Sequence, residues 1–248
     1  MNIIWLSANK FGFELFKEAK KIKNVKFKGI VTLSNNAQIK MYDGIENKKW
    51  KRFGIRMFEI TDINKEKRLI EKLSPDLMIV CGWRQKISKN IISIPKKRVI
   101  GFHPTLLPYG RGPAPIINSI LEGVRLSGVS MFYLTNRIDE GDIIAQDKFL
   151  IDSDDHAMDV YDKAIRSGKK LVRKFLPLVV KGKAPVMVQD KAEAVTFRKR
   201  KLKDNRIDLD KETLVQTYNK IRALSKPYEG AYIEKNTKRL IIWRAELR

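Results

Sequence analysis

Only two histidines occur among the 248 residues, His103 and His156. His103 stands in Gly101-Phe102-His103-Pro104-Thr105-Leu106-Leu107-Pro108, where two prolines stiffen the loop around it. The irregular run Tyr109-Gly110-Arg111-Gly112-Pro113-Ala114-Pro115 follows and opens a helix. Arginine and a helix N-terminus both suit anionic ligands. A second polar cluster, Asp139-Glu140-Gly141-Asp142, falls at a turn between two strand-like segments. An imidazole beside a carboxylate is a general acid–base pair, because the carboxylate orients the ring and favours its charged form. A loop histidine also serves as a surface hydrogen-bonding residue, and Asp139 as an ordinary turn carboxylate. By themselves these residues mark a candidate acid–base site and no more.

The elements that must position them are legible from apolar periodicity. Asn2–Leu6 reads as a buried first strand, followed by a helix through Phe13, Phe16 and Ala19. Strands are expected over 25–32, Leu77–Cys81, 99–102 and 129–134, with 143–151 as hairpin partner of the last. Helices are expected over 66–73, 115–122 and Ala157–Val180, the last capped by Asp154 or Asp155. Strands alternating with helices imply an α/β fold with a doubly wound, mostly parallel sheet covered on both faces. Such sheets bind ligands beyond the carboxyl ends of their strands, so the segments after Cys81 and Phe102 are where a site belongs. After about residue 190 the texture changes. The basic run Arg198–Lys203 reads as an exposed linker. A helix over 212–224 carries Leu214, Tyr218, Ile221 and Leu224 on one stripe, and strands 230–234 and 239–243 close a hairpin around Asn236-Thr237. The expected organisation is one domain over 1–190 and a small helix-plus-hairpin appendage over 191–248.

Composition narrows the function class. Fifty-one Lys+Arg stand against 28 Asp+Glu, a formal net charge of +23, which draws anions such as nucleic acid, phosphorylated small molecules or polycarboxylates. Ser7-Ala8-Asn9-Lys10 follows the first strand where a dinucleotide-binding glycine fingerprint would stand, and no Walker-type phosphate loop occurs, which argues against nicotinamide and ATP enzymes. The single cysteine, Cys81, permits neither an intramolecular disulfide nor a Cys-based metal site, and fits a reducing, cytoplasmic compartment. No segment approaches the ~20 apolar residues of a membrane span.

Three separated motifs, in order and at matching spacing, carry a resemblance: His103-Pro-Thr-Leu-Leu-Pro-Tyr-Gly-Arg-Gly-Pro-Ala-Pro115, Gly128-Val-Ser-Met131 and Ile138-Asp-Glu-Gly-Asp-Ile-Ile144. A weaker likeness begins at residue 1, and a clear one returns in Asn205-Arg-Ile-Asp208 and Ile221–Gly230. The chain resembles the 10-formyltetrahydrofolate-dependent formyltransferases. The resemblance implies a Rossmann-like fold, 10-formyltetrahydrofolate as formyl donor, and His103 and Asp139 as catalytic residues. It also implies a pterin site between Gly82-Trp83-Arg84-Gln85 and Asp139-Glu140-Gly141-Asp142, held largely by backbone groups, and no metal. The family's Asn-x-His pair reads Gly101-x-His103 here, so another donor (Gln85, Asn118 or a backbone N–H) must substitute, or the chain is a non-catalytic binding relative. A nucleotide-linked amino sugar is the expected acceptor, with Asn9, Lys10 and Arg111 as its contacts and a homodimer formed through the C-terminal hairpin. Methionyl-tRNA is the rival acceptor, favoured by the charge but disfavoured by a tail too short for a closed barrel.

Overall fold

A computed structural model describes all residues, 1–248. In chain order the elements are β1 (Asn2–Leu6), α1 (Lys10–Ala19), β2 (Lys26–Leu33), α2 (Asn47–Lys51), β3 (Met57–Ile60), α3 (Lys67–Leu73), β4 (Leu77–Cys81), α4 (Lys89–Ile92) and β5 (Arg98–His103). There follow α5 (Pro115–Leu121), β6 (Leu126–Tyr133), β7 (Ile143–Leu150), α6 (Ala157–Val180), α7 (Leu214–Leu224), β8 (Ala231–Lys235) and β9 (Lys238–Ile242). Seven strands form one sheet in the order β3-β2-β1-β4-β5-β6-β7, parallel as far as β5 and antiparallel at β6 and β7; β8 and β9 pair separately. The expected architecture is therefore present.

The unbroken apolar run of β4 has a simple cause. Side chains alternate across a strand, and helices cover both faces. Leu77, Ile79 and Cys81 join Ile3, Trp5, Ile100 and Phe102 in a core shared with α1, α6 and α7. Met78 and Val80 join Ile4, Leu6 and Val99 in a second core against α3 and α4. Cys81 is fully buried, and that burial pushes its thiol pKa well up. The chain order reverses at β1 and β4, so a crevice opens beyond Leu6 and Cys81.

Several boundaries differ from expectation for local reasons. The cap of α6 is His156, whose backbone N–H donates to the Asp159 carboxylate; Asp155 instead accepts from Asp152 N and pairs with Lys163. Leu214 is 68% exposed at the first position of α7, so the buried stripe begins later, at Ile221 and Leu224. The hairpin turn places both Asn236 and Thr237 at positive φ, as a tight two-residue turn requires. The appendage is not separate in its packing: Ile207, Ile221, Ala223, Leu224 and Ala231 belong to the main core. No helix is long and apolar enough to cross a membrane.

Leu15 of α1 is fully buried, and Gly168 of α6 leaves room for it: a Cβ there would lie 2.9 Å from Leu15 Cδ2. Leu15→Ala is expected to destabilise the protein by ~2–5 kcal/mol, read from the urea midpoint at unchanged slope.

Candidate active site

His103 ends β5 opposite Ser130 of β6, and both are buried. Its loop is pinned by that neighbour. Ser130 Oγ donates to Thr105 O at 2.7 Å and accepts from Leu107 N at 3.0 Å, while Gln146 Nε2 donates to Leu107 O and to Ser130 Oγ. The imidazole is fixed in turn. Nε2 lies 2.7 Å from Gly110 O, and a carbonyl only accepts, so Nε2 carries the hydrogen. That leaves Nδ1 facing Asp139 Oδ2 at 3.6 Å.

Asp139 reaches this position through a backbone at φ +54°, a left-handed conformation that Asp tolerates better than most residues. Its Oδ2 accepts from Gly112 N at 2.9 Å. Gly112 sits at φ +92°, which an L side chain rarely adopts, so glycine is what lets this N–H turn to the carboxylate. The two halves of the pair, 36 residues apart in sequence, thus meet at the sheet edge, at a separation slightly beyond hydrogen-bond reach.

The other predicted site residues fall into two groups. Arg84 donates to Asp43 Oδ1 at 2.9 Å, Gln85 bonds Ile63 N and Thr61 O, and the half-buried Trp83 packs on the second core with its indole N–H unpartnered. Glu140 lies between Arg111 and Arg137, and Asp142 lies 3.9 Å from Arg98. Apart from the Trp83 indole N–H, the polar groups of these side chains have partners within the protein. The backbone N–H groups of residues 83–86 and of Asp139–Asp142 donate to nothing within the chain, which makes both stretches fit to hold a polar heterocycle by main-chain contacts. Gln85 Nε2 donates to Thr61 O and Asn118 Nδ2 donates to Pro113 O, so each amide gives one of its two N–H groups to the protein.

Of the three predicted substrate contacts, Asn9 caps α1 through Gly12 N and donates to Asp43. Lys10 pairs with Asp162 at 3.0 Å and stays part-exposed. Arg111 is 7% exposed and gives its Nε and Nη2 to Gln189 Oε1. Sequence reasoning missed Asp43, Tyr161 and Gln189. Asp43 collects Asn9, Arg84 and the Tyr161 hydroxyl, which itself accepts from Phe11 N. Burial and then the Asp43 charge push the Tyr161 pKa far up; burial and Asp43 push Tyr228 up as well, against Arg84, so both phenols remain neutral. Asp43 lies in an aperiodic polar loop and Tyr161 on a helix stripe that reads as core, so no local signal marked either.

The sequence profile described as formyl transferase matches residues 1–176, and that described as formyl transferase, C-terminal domain, matches 199–248. The chain belongs to the formyl transferase family. A methionyl-tRNA formyltransferase from Bacillus velezensis is 32% identical over 197 residues, covering 79% of this chain and 62% of the relative. The chain spans between about a third and two thirds of the length of the curated relatives it matches. A sugar N-formyltransferase from a Shewanella species superposes with a TM-score of 0.79 at 20% identity, covering 100% of this chain and 99% of that one. An N-formyltransferase from Helicobacter canadensis, solved with folinic acid and dTDP-3-aminofucose, gives 0.72 at 19% identity over 96% and 86%.

Against this family background Gly101 acquires a physical meaning. Residues 101 and 103 share one face of β5 by strand alternation. An ideal Cβ at Gly101 would lie 2.3 Å from Leu134 Cδ1 and 2.9 Å from Phe132 Cε1. The space beside His103 that an amide would fill is thus packed with hydrocarbon. Gly101→Asn is expected to destabilise the chain by ~1–3 kcal/mol, with part of the loss recovered on adding Leu134→Ala, both read by urea unfolding.

Proposed function

We propose that the chain transfers the formyl group of 10-formyltetrahydrofolate to the primary amine of a nucleotide-linked amino sugar. The observation that carries this reading is the meeting of His103 and Asp139 at the carboxyl edge of the sheet, between two stretches of unpaired backbone donors. The donor molecule supplies an activated formyl carbon. His103, with Nε2–H held on Gly110 O, presents Nδ1 to the space shared with Asp139. A proton on Nδ1 meets the negative charge that develops on the formyl oxygen as the amine nitrogen bonds to carbon, and Asp139 balances the imidazolium. The proton lost by the amine travels by water to the departing folate nitrogen as the old carbon–nitrogen bond breaks. With Gly101 unable to supply an amide, His103 and backbone N–H groups carry the oxyanion.

The end-to-end likeness in architecture to sugar N-formyltransferases supports the amino-sugar acceptor, as an argument from fold. The 32% identical methionyl-tRNA formyltransferase and the +23 charge favour the second reading, tRNA. The exposed β9 residues Leu240 and Ile241, with Trp243 beyond them, fit a dimer through the hairpin. Light scattering is expected to give twice the chain mass, and Leu240→Arg to halve it.

Incubation with 10-formyltetrahydrofolate and a panel of UDP-, GDP- and dTDP-linked amino sugars is expected to give one product heavier by a formyl group. Formylation of charged initiator tRNA with steeply salt-dependent binding, and none of the sugars, would select the tRNA reading. His103→Ala is expected to slow transfer by about 10²–10⁴-fold while folate binding persists; a variant transferring at the wild-type rate removes His103 from the mechanism.

A further inference from the structure

We infer that Gln189 is a positioning residue for Asp139, and that the segment between the two profile-matched regions sets the geometry of the acid–base pair. The inference rests on the formyl-transfer reading above. Residues 187–197 lie between the matched regions 1–176 and 199–248, yet they touch both catalytic loops. At one end Met187 exchanges two backbone hydrogen bonds with Ile143, just after the Asp139 turn. At the other, Arg111 N donates to Val195 O and Phe197 N donates to Arg111 O, beside the Gly110 carbonyl that holds His103.

Between these anchorages sits Gln189, 5% exposed, with its amide fully used. Nε2 donates to Asp139 O at 2.9 Å and to Gly141 O at 2.7 Å. Oε1 accepts from Arg111 Nε and Nη2 at 3.1 and 2.7 Å. One side chain therefore ties the backbone of the catalytic carboxylate to the loop that carries Gly110 and Gly112. The tie has something to resist. Asp139 stands at φ +54°, a left-handed conformation that costs a residue with a Cβ some free energy, and no other group in the chain donates to the Asp139 or Gly141 carbonyls. Gly141 adds a close approach, since a Cβ there would fall 1.7 Å from Tyr133 O. The turn is thus wedged against β6 on one side and held by Gln189 on the other. Release of that hold would let the carboxylate drift from Nδ1, and rates respond steeply to shifts of about an ångström.

The test compares wild type, Gln189→Ala, Gln189→Glu, Asp139→Asn and the Asp139→Asn/Gln189→Ala double variant, with 10-formyltetrahydrofolate and an amine the wild type accepts. Gln189→Ala is expected to lower kcat about 10–100-fold with the KM for the formyl donor little changed. Gln189→Glu retains the acceptor for Arg111 but loses both donors, so it should fall with the alanine variant while its thermal midpoint stays near wild type. The double variant should be no slower than Asp139→Asn alone, because both changes act on one group. Wild-type kcat in Gln189→Glu, or losses that multiply in the double variant, would overturn the inference. Hydrogen–deuterium exchange supplies an arm that needs no activity. Peptides covering 136–142 should exchange faster in Gln189→Glu while those covering Leu77–Cys81 do not. Unchanged exchange in the turn refutes the positioning role even if wild type proves inactive, whereas an inactive wild type with faster exchange in the turn refutes only the formyl-transfer reading.

Discussion

A carbonyl oxygen cannot donate a hydrogen bond, and that asymmetry orders the site. Because Gly110 O faces Nε2 of His103, the ring's hydrogen is assigned to that nitrogen and the opposite nitrogen is turned to Asp139. The constraint is only as firm as the loop that imposes it. Ser130 and Gln146 hold that loop by its backbone at Thr105 and Leu107, from the two strands that turn the sheet antiparallel. Reversal of strand direction after β5 is therefore more than topology. It brings a hydroxyl and an amide across to the loop leaving the preceding strand.

A similar economy appears on the other side of the crevice. Asp43 draws Asn9, Arg84 and Tyr161 together, joining the loop after β1, the loop after β4 and the first turns of α6. In a chain with 23 more cationic than anionic side chains, this carboxylate is buried and matched by a guanidinium and two neutral donors. The surplus positive charge lies elsewhere, on exposed lysines and arginines, where it acts through long-range attraction and leaves the arrangement of the crevice to short contacts.

The sheet was legible because its strands are governed by burial. The runs of β1 and β4 and the period of α6 agree with their observed bounds residue for residue. The short β3, α2 and α4 escaped because four or five residues carry too little periodicity. His103 and Asp139 were legible as chemistry-bearing residues in stiff or turning segments. Gln189 was not, for its meaning lies in two carbonyls and a guanidinium from distant loops, and nothing in Val186-Met187-Val188-Gln189 announces them. The Gly101 departure was visible as a letter. That Leu134 and Phe132 fill the space, and that Gln85 and Asn118 are already engaged, depends on packing that no local pattern encodes.

Sealing the one sulfhydryl at the end of β4 has a consequence for handling the molecule. Alkylating reagents and disulfides react with thiolate, and Cys81 is both inaccessible and held in its protonated form by its surroundings. The folded chain is in effect blind to maleimides. A cysteine introduced anywhere on its surface would be the sole attachment point for a fluorophore or spin label, with no need to remove the native one.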